Sequence, residues 1–107
     1  MSLSTHVLDL KSGLPAEGIS LTVYCGGQEL GTFMTDSDGR CGDLLAGQAM
    51  KAGDYRFVFD VAAYFAASDT ETFYKTIPIE FTITDTGRHY HVPLLLSPFG
   101  YSTYRGS

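Results

Sequence analysis

The sequence predicts an all-β fold, an antiparallel β-sandwich of seven to eight strands with one short helix, forming a single domain over residues 1–107. Three observations carry that prediction. Apolar residues recur with period two in short runs, the alternation of strands that bury one face. Turn-forming residues break those runs every eight to twelve positions, the spacing of sandwich strands. Only one stretch carries helix formers in place of strand formers. No linker, repeat or low-complexity segment divides the chain, and its length is near the common size of one domain.

Taken in order, residues 5–10 (Thr-His-Val-Leu-Asp-Leu) form a first strand that Gly13 and Pro15 end. Ile19, Leu21, Val23 and Cys25 alternate onto one face of a second, and Gly26-Gly27 turns it into a third over 29–36. In Asp36-Ser37-Asp38-Gly39 the aspartate caps the backbone and Gly39 is free to take positive φ, which makes a turn. Residues 54–61 place Tyr55, Phe57, Phe59 and Val61 on one face, and Ala62 to Ala67 form the short helix. Ile77, Phe81 and Ile83 point inward from a strand over 77–84. Asp85-Thr86-Gly87 leads into a long strand over 88–96, and Ser97-Pro98-Phe99-Gly100 turns it into a short last one.

Composition excludes several functions. A net charge of -5, with seven scattered Lys and Arg, gives no surface for a phosphate backbone or an anionic membrane, so no nucleic-acid or membrane partner is expected. No apolar run approaches the roughly 20 residues of a membrane helix. The opening residues lack the basic and apolar regions of a signal peptide, and a cytoplasmic location is expected. Cys25 and Cys41 are too few for a disulfide framework, and whether they pair is left open.

The outer faces hold the functional signal. On the 88–96 strand Tyr90, Val92, Leu94 and Leu96 share one face, while His89, His91, Pro93 and Leu95 share the other. On the first strand His6 and Leu8 face opposite to Val7. A solvated outer face is normally polar throughout. Semi-apolar faces rimmed with histidine imply a covered surface, either a ligand groove or a subunit contact. The His89/His91 pair has the spacing to share a metal, but no Cys-x-x-Cys, helical His-x-x-x-His or carboxylate cluster accompanies it, and no metal is expected. Asp36-x-Asp38 fails as a calcium loop, with Cys41 where glycine is needed and Gly47 where a carboxylate is needed. Gly26-Gly27 lacks the lysine of a phosphate loop, and no Gly-x-Ser-x-Gly is present. Histidine and arginine chemistry remains: an imidazole able to act as a base near neutrality, and a permanently charged planar donor. Pattern alone leaves His91 balanced between a surface histidine and a catalytic one, and favours plain surface roles for His6 and Arg40.

The two termini shift that balance. Thr5-His6-Val7-Leu8-Asp9 with Gly13-Leu14-Pro15-Ala16, the turn Thr35 to Arg40, and the whole segment from His89 to Ser107 resemble the transthyretin superfamily in order and spacing. The ending Tyr104-Arg105-Gly106-Ser107 resembles its 5-hydroxyisourate hydrolase branch and not transthyretin itself. The resemblance implies a transthyretin-like sandwich assembled as a homotetramer around a channel. It also implies cofactor- and metal-free hydrolysis of the cyclic amide of 5-hydroxyisourate, giving 2-oxo-4-hydroxy-4-carboxy-5-ureidoimidazoline in urate breakdown. By position it assigns catalysis to His6, Arg40, His91 and Ser107, and substrate binding to His6, Arg40, Tyr104, Arg105 and Gly106. One competing reading is a carrier of a hydrophobic ligand in the same channel, disfavoured by titratable groups at channel positions. Another is a structural sandwich module.

Overall fold

The computed structural model describes residues 2–107, and in it the alternating runs resolve into two sheets packed face to face. The strands are β1 (Leu3–Asp9), β2 (Leu14–Pro15), β3 (Ser20–Cys25), β4 (Gln28–Met34), β5 (Arg40–Cys41), β6 (Gly53–Asp60), β7 (Thr76–Ile83), β8 (Tyr90–Ser97) and β9 (Gly100–Thr103), with helix α1 (Val61–Ala66) between β6 and β7. β2 and β5 are two residues each; the other seven are the sandwich strands foreseen from the sequence. One sheet runs β2-β1-β8-β9, with β5 also on β1; the other runs β4-β3-β6-β7.

One pairing departs from an all-antiparallel sandwich. β1 and β8 are parallel, with Ser4 opposite His91, His6 opposite Pro93 and Leu8 opposite Leu95. Short hairpin connections force neighbouring strands to run antiparallel. β1 and β8 come from opposite ends of the chain, so no such connection sets their direction.

The inward faces build one core. Val7, Leu21, Phe57, Phe59, Phe65, Leu94 and Leu96 are buried, as are Ile19, Ile77 and Ile83. Each large side chain removed from water contributes roughly 1.5–3 kcal/mol before entropy is counted. Phe57 meets Phe81 edge to face with ring centroids 5.1 Å apart. Gly26 and Gly27 take φ of 58° and 82°, the positive pair that a two-residue hairpin between β3 and β4 requires. Cys25 and Cys41 are free thiols, which settles the pairing question.

The helix begins one residue earlier than the alanine run suggested. The Asp60 carboxylate caps it by accepting from the Ala63 N–H at 3.3 Å, and Val61 and Phe65 anchor it in the core. Its Tyr64 hydroxyl donates to the buried Asp9 carboxylate at 2.8 Å, tying the helix to the end of β1. Burial, and then Asp9, push the Tyr64 hydroxyl pKa up to about 12, so the phenol keeps its proton and remains a donor.

Candidate active site

Three local devices bring distant residues onto the outer face of the β1–β8 sheet. The first is the 36–40 turn. Asp36 accepts from the Asp38 and Arg40 N–H groups at 2.9 and 3.0 Å, and its own N–H donates to the Arg40 carbonyl. Those donors, led by the Arg40 N–H, hold the Asp36 carboxyl below its ordinary value, helped by the charges of Arg40 and His6. The Gly39 carbonyl accepts from Val7 on β1, and Gly39 adopts a φ of 73°. A Cβ there would lie 2.5 Å from the Val7 carbonyl, so only glycine lets the turn dock. Docking pairs Arg40 directly with His6.

The second device is the parallel register itself. It sets Ser4 beside His91, and the Ser4 hydroxyl lies 2.8 Å from His91 Nδ1. The third is Pro93. A strand residue aims its N–H and C=O to the same side, and the Pro93 carbonyl is bonded on the β9 side, by the Thr103 hydroxyl at 2.7 Å. Proline has no N–H to offer there. The β8–β9 ladder accordingly stops at Leu94 opposite Thr103. Tyr104 and Arg105 leave the ladder, and pairing resumes in the same register as the Gly106 N–H donates to the His91 carbonyl at 2.7 Å. Gly106 lies flat against the imidazole: an added Cβ would sit 2.7 Å from His91 Cδ2.

The result is a shallow cleft of about 450 Å³ lined by Ser4, Thr5, Arg40, Cys41, Gly42, His89, His91 and Ser107. His91 is half-buried, whereas Arg40, His89 and Ser107 are exposed. Desolvation, then the positive fields of His89, His6 and Arg40, lower the His91 pKa below the ordinary histidine value. The imidazole is therefore neutral at neutral pH and has a lone pair to offer. A neutral base beside a guanidinium is the equipment for activating water against a polarised carbonyl. Among the described residues no group of three or more His, Cys, Asp or Glu is arranged to hold a metal ion.

The structure thus brings together Arg40, His91, Gly106 and Ser107. His6 sits next to Arg40 in the ladder, close enough to influence Asp36 and His91, without lining the cleft wall. Tyr104 and Arg105 lie elsewhere in the single chain, lining a separate cleft of about 280 Å³ with Glu80, Asp85 and Arg88. Sequence reasoning missed Ser4, Thr5, Cys41 and Gly42. For Ser4 the signal was its place two residues before His6 on the same strand face.

Fold and cleft together define a two-sheet β-sandwich with a polar imidazole–guanidinium site on one outer face. The chain belongs to the HIUase/Transthyretin family, whose model matches residues 3–106. It is 47% identical over 109 residues to a 5-hydroxyisourate hydrolase of Salmonella dublin, covering 98% of this chain and 80% of that protein. The Klebsiella pneumoniae 5-hydroxyisourate hydrolase structure superposes with a TM-score of 0.90 at 36% identity, covering 100% of both chains. Sea bream transthyretin in complex with thyroxine superposes with a TM-score of 0.91 at 34% identity, covering 97% of this chain and 93% of that one.

Proposed function

We propose that this protein hydrolyses 5-hydroxyisourate, opening its cyclic amide without a cofactor. The observation that carries the reading is a half-buried His91, kept neutral in one cleft with the Arg40 guanidinium and Ser107. The 5-hydroxyisourate hydrolases it resembles support the same reaction.

Nε2 of His91 takes a proton from water as the water oxygen attacks the ring carbonyl. Arg40 stabilises the charge that gathers on the carbonyl oxygen, and Ser107 orients the water. The ring C–N bond then breaks, and the leaving nitrogen takes the proton back from His91. The products are a carboxyl group and a neutral ureido nitrogen. His6, beside Arg40, assists in holding the substrate, and Gly106 shapes the wall against the imidazole. Tyr104 and Arg105 contact substrate only where assembly brings a second copy's tail to the cleft. A homotetramer accounts for the semi-apolar outer face around the site, which includes Leu8 and Leu95, and a cytoplasmic location belongs to the same reading. A hydrophobic carrier is disfavoured because imidazoles and a guanidinium line the cleft.

The test follows the ultraviolet decay of freshly generated 5-hydroxyisourate with the protein and its His91→Ala variant. We expect decay well above the spontaneous rate, reduced about 10²–10⁴-fold in the variant, the usual contribution of a general base. A base must be unprotonated to act, and the His91 pKa is lowered, so kcat/KM should rise with pH to a plateau. Its midpoint should lie below the ordinary histidine value of about 6.5. No acceleration by the folded protein would sink the assignment.

A further inference from the structure

We propose that Ser4 is a positioning residue that locks His91 in the tautomer carrying its lone pair on Nε2, with His89 accepting the hydrogen bond that Ser4 donates. The proposal rests on the hydrolytic reading above and deepens it.

The geometry comes from three imidazole–hydroxyl contacts. Ser4 Oγ lies 2.8 Å from His91 Nδ1 and 3.3 Å from His89 Nε2. His89 Nδ1 is in turn hydrogen-bonded to the Ser2 hydroxyl. The two rings are nearly parallel, 16° apart, with centroids separated by 6.2 Å, and the serine oxygen bridges them. Strand periodicity explains the grouping. His89 and His91 project to one side, and the parallel register brings Ser4 alongside His91.

Proton bookkeeping then fixes the direction of the chain. A serine hydroxyl has one proton to give and lone pairs to accept with. If His91 is the base, Nε2 must be bare, because Nδ1 is already engaged with Ser4. Nδ1 then carries the proton and donates to Ser4 Oγ. Ser4 must send its own proton elsewhere, and His89 Nε2 is the acceptor within reach. His89 keeps its proton on Nδ1 and donates to Ser2. Reversing the chain leaves Nε2 of His91 protonated, an imidazole unable to accept from water.

The arrangement also serves the charged state. Once Nε2 takes the water proton, the Nδ1–H bond to Ser4 becomes charge-assisted and shorter. Histidines in such sites are often oriented by a carboxylate; here the described partner of His91 is a neutral hydroxyl. Desolvation of the ring and the neighbouring Arg40 charge hold its pKa down, and a neutral hydroxyl orients it without pulling that pKa back up.

The experiment compares wild type, Ser4→Ala and Ser4→Thr in the decay assay, together with ¹⁵N signals of the His91 ring and a melting curve. For Ser4→Ala we expect kcat about tenfold lower, a small part of the usual acid–base contribution, with KM within about twofold. Its His91 nitrogen signals should move toward the Nε2–H tautomer while the melting curve holds. Ser4→Thr, which keeps the hydroxyl, should restore both kcat and the wild-type signals. An Ser4→Ala protein with wild-type kcat and unchanged nitrogen signals would overturn the proposal, as would a loss of kcat that threonine does not restore. Absence of turnover in wild type would instead overturn the hydrolytic reading, and the nitrogen signals of Ser4→Ala would still decide whether Ser4 sets the His91 tautomer.

Discussion

The two outer faces of the sandwich differ in how they satisfy themselves. On the β4-β3-β6-β7 sheet the outward side chains pair with one another. The Arg56 guanidinium lies 4.6 Å over the Tyr24 ring, Arg56 stands opposite Glu80, Thr82 donates to Asp54 at 2.9 Å, and Thr22 bonds Thr32. Such cross-strand pairs each contribute a fraction of a kcal/mol, and together they make an ordinary solvated surface. The β2-β1-β8-β9 sheet is different. Leu8, Pro93 and Leu95 occupy positions that solvation would give to polar residues, and His91 lies near an arginine and two other histidines, its described side-chain partner being the Ser4 hydroxyl. One face is stable as it stands. The other gathers imidazoles and a guanidinium beside half-covered apolar surface, with Asp36 at its edge.

Substitutions can break that contrast in graded steps. After His91→Ala itself, the largest effect is expected at Arg40→Ala, which removes the fixed positive donor and should lower kcat by about 10²–10³-fold in the decay assay. If Arg40→Ala retained wild-type turnover, the charged face would lose its chemical meaning. Next comes Gly106→Ala. Its new Cβ would press within 2.7 Å of His91 Cδ2 and tilt the ring, and about a tenfold fall in kcat is expected from a misplaced base. Because Gly106 lies outside the core, circular dichroism should report little change in melting. The smallest effect is assigned to the opposite face. Arg56→Ala should leave turnover unchanged and cost only about 0.5–1 kcal/mol in denaturant titrations, the worth of an exposed cation–π contact. A large activity loss there would erase the distinction between the faces.

How far the sequence reached depended on whether an effect was local. The alternation of Tyr55, Phe57 and Phe59 named the inner face of β6, and all three are buried. The Asp36–Gly39 turn and the Gly26-Gly27 hairpin were legible because their requirements are met within four residues. The helix start was off by one because the Asp60 cap, and not the alanine run, decides it. What could not be read was register between remote strands. Nothing in a local pattern says that residues 87 apart, Ser4 and His91, become neighbours in a parallel pair. His91 was visible as a candidate, and its neutrality was not, because that depends on burial and on charges contributed by β1 and β5. The tail was read as a unit, yet Tyr104 and Arg105 part company with Gly106 and Ser107. Pro93 was plain in the sequence, but the side its missing donor would face was not.

That proline works as punctuation. A ladder left to itself would zip onward, and Tyr104 would simply extend it. The absent hydrogen forces a pause at Tyr104 and Arg105, and pairing resumes beyond it in the register it left, with Gly106 opposite His91. If the tail resumed one residue early, every side chain after it would swap faces, and Ser107 would be carried away from the cleft. A slip of two would keep the face but shift the end of the chain by about 7 Å, beyond reach of the imidazole. The address of the last residues is therefore written in the register that β8 and β9 share, and the proline, ten positions upstream of the hydroxyl that marks its place, only releases Tyr104 and Arg105 from the ladder.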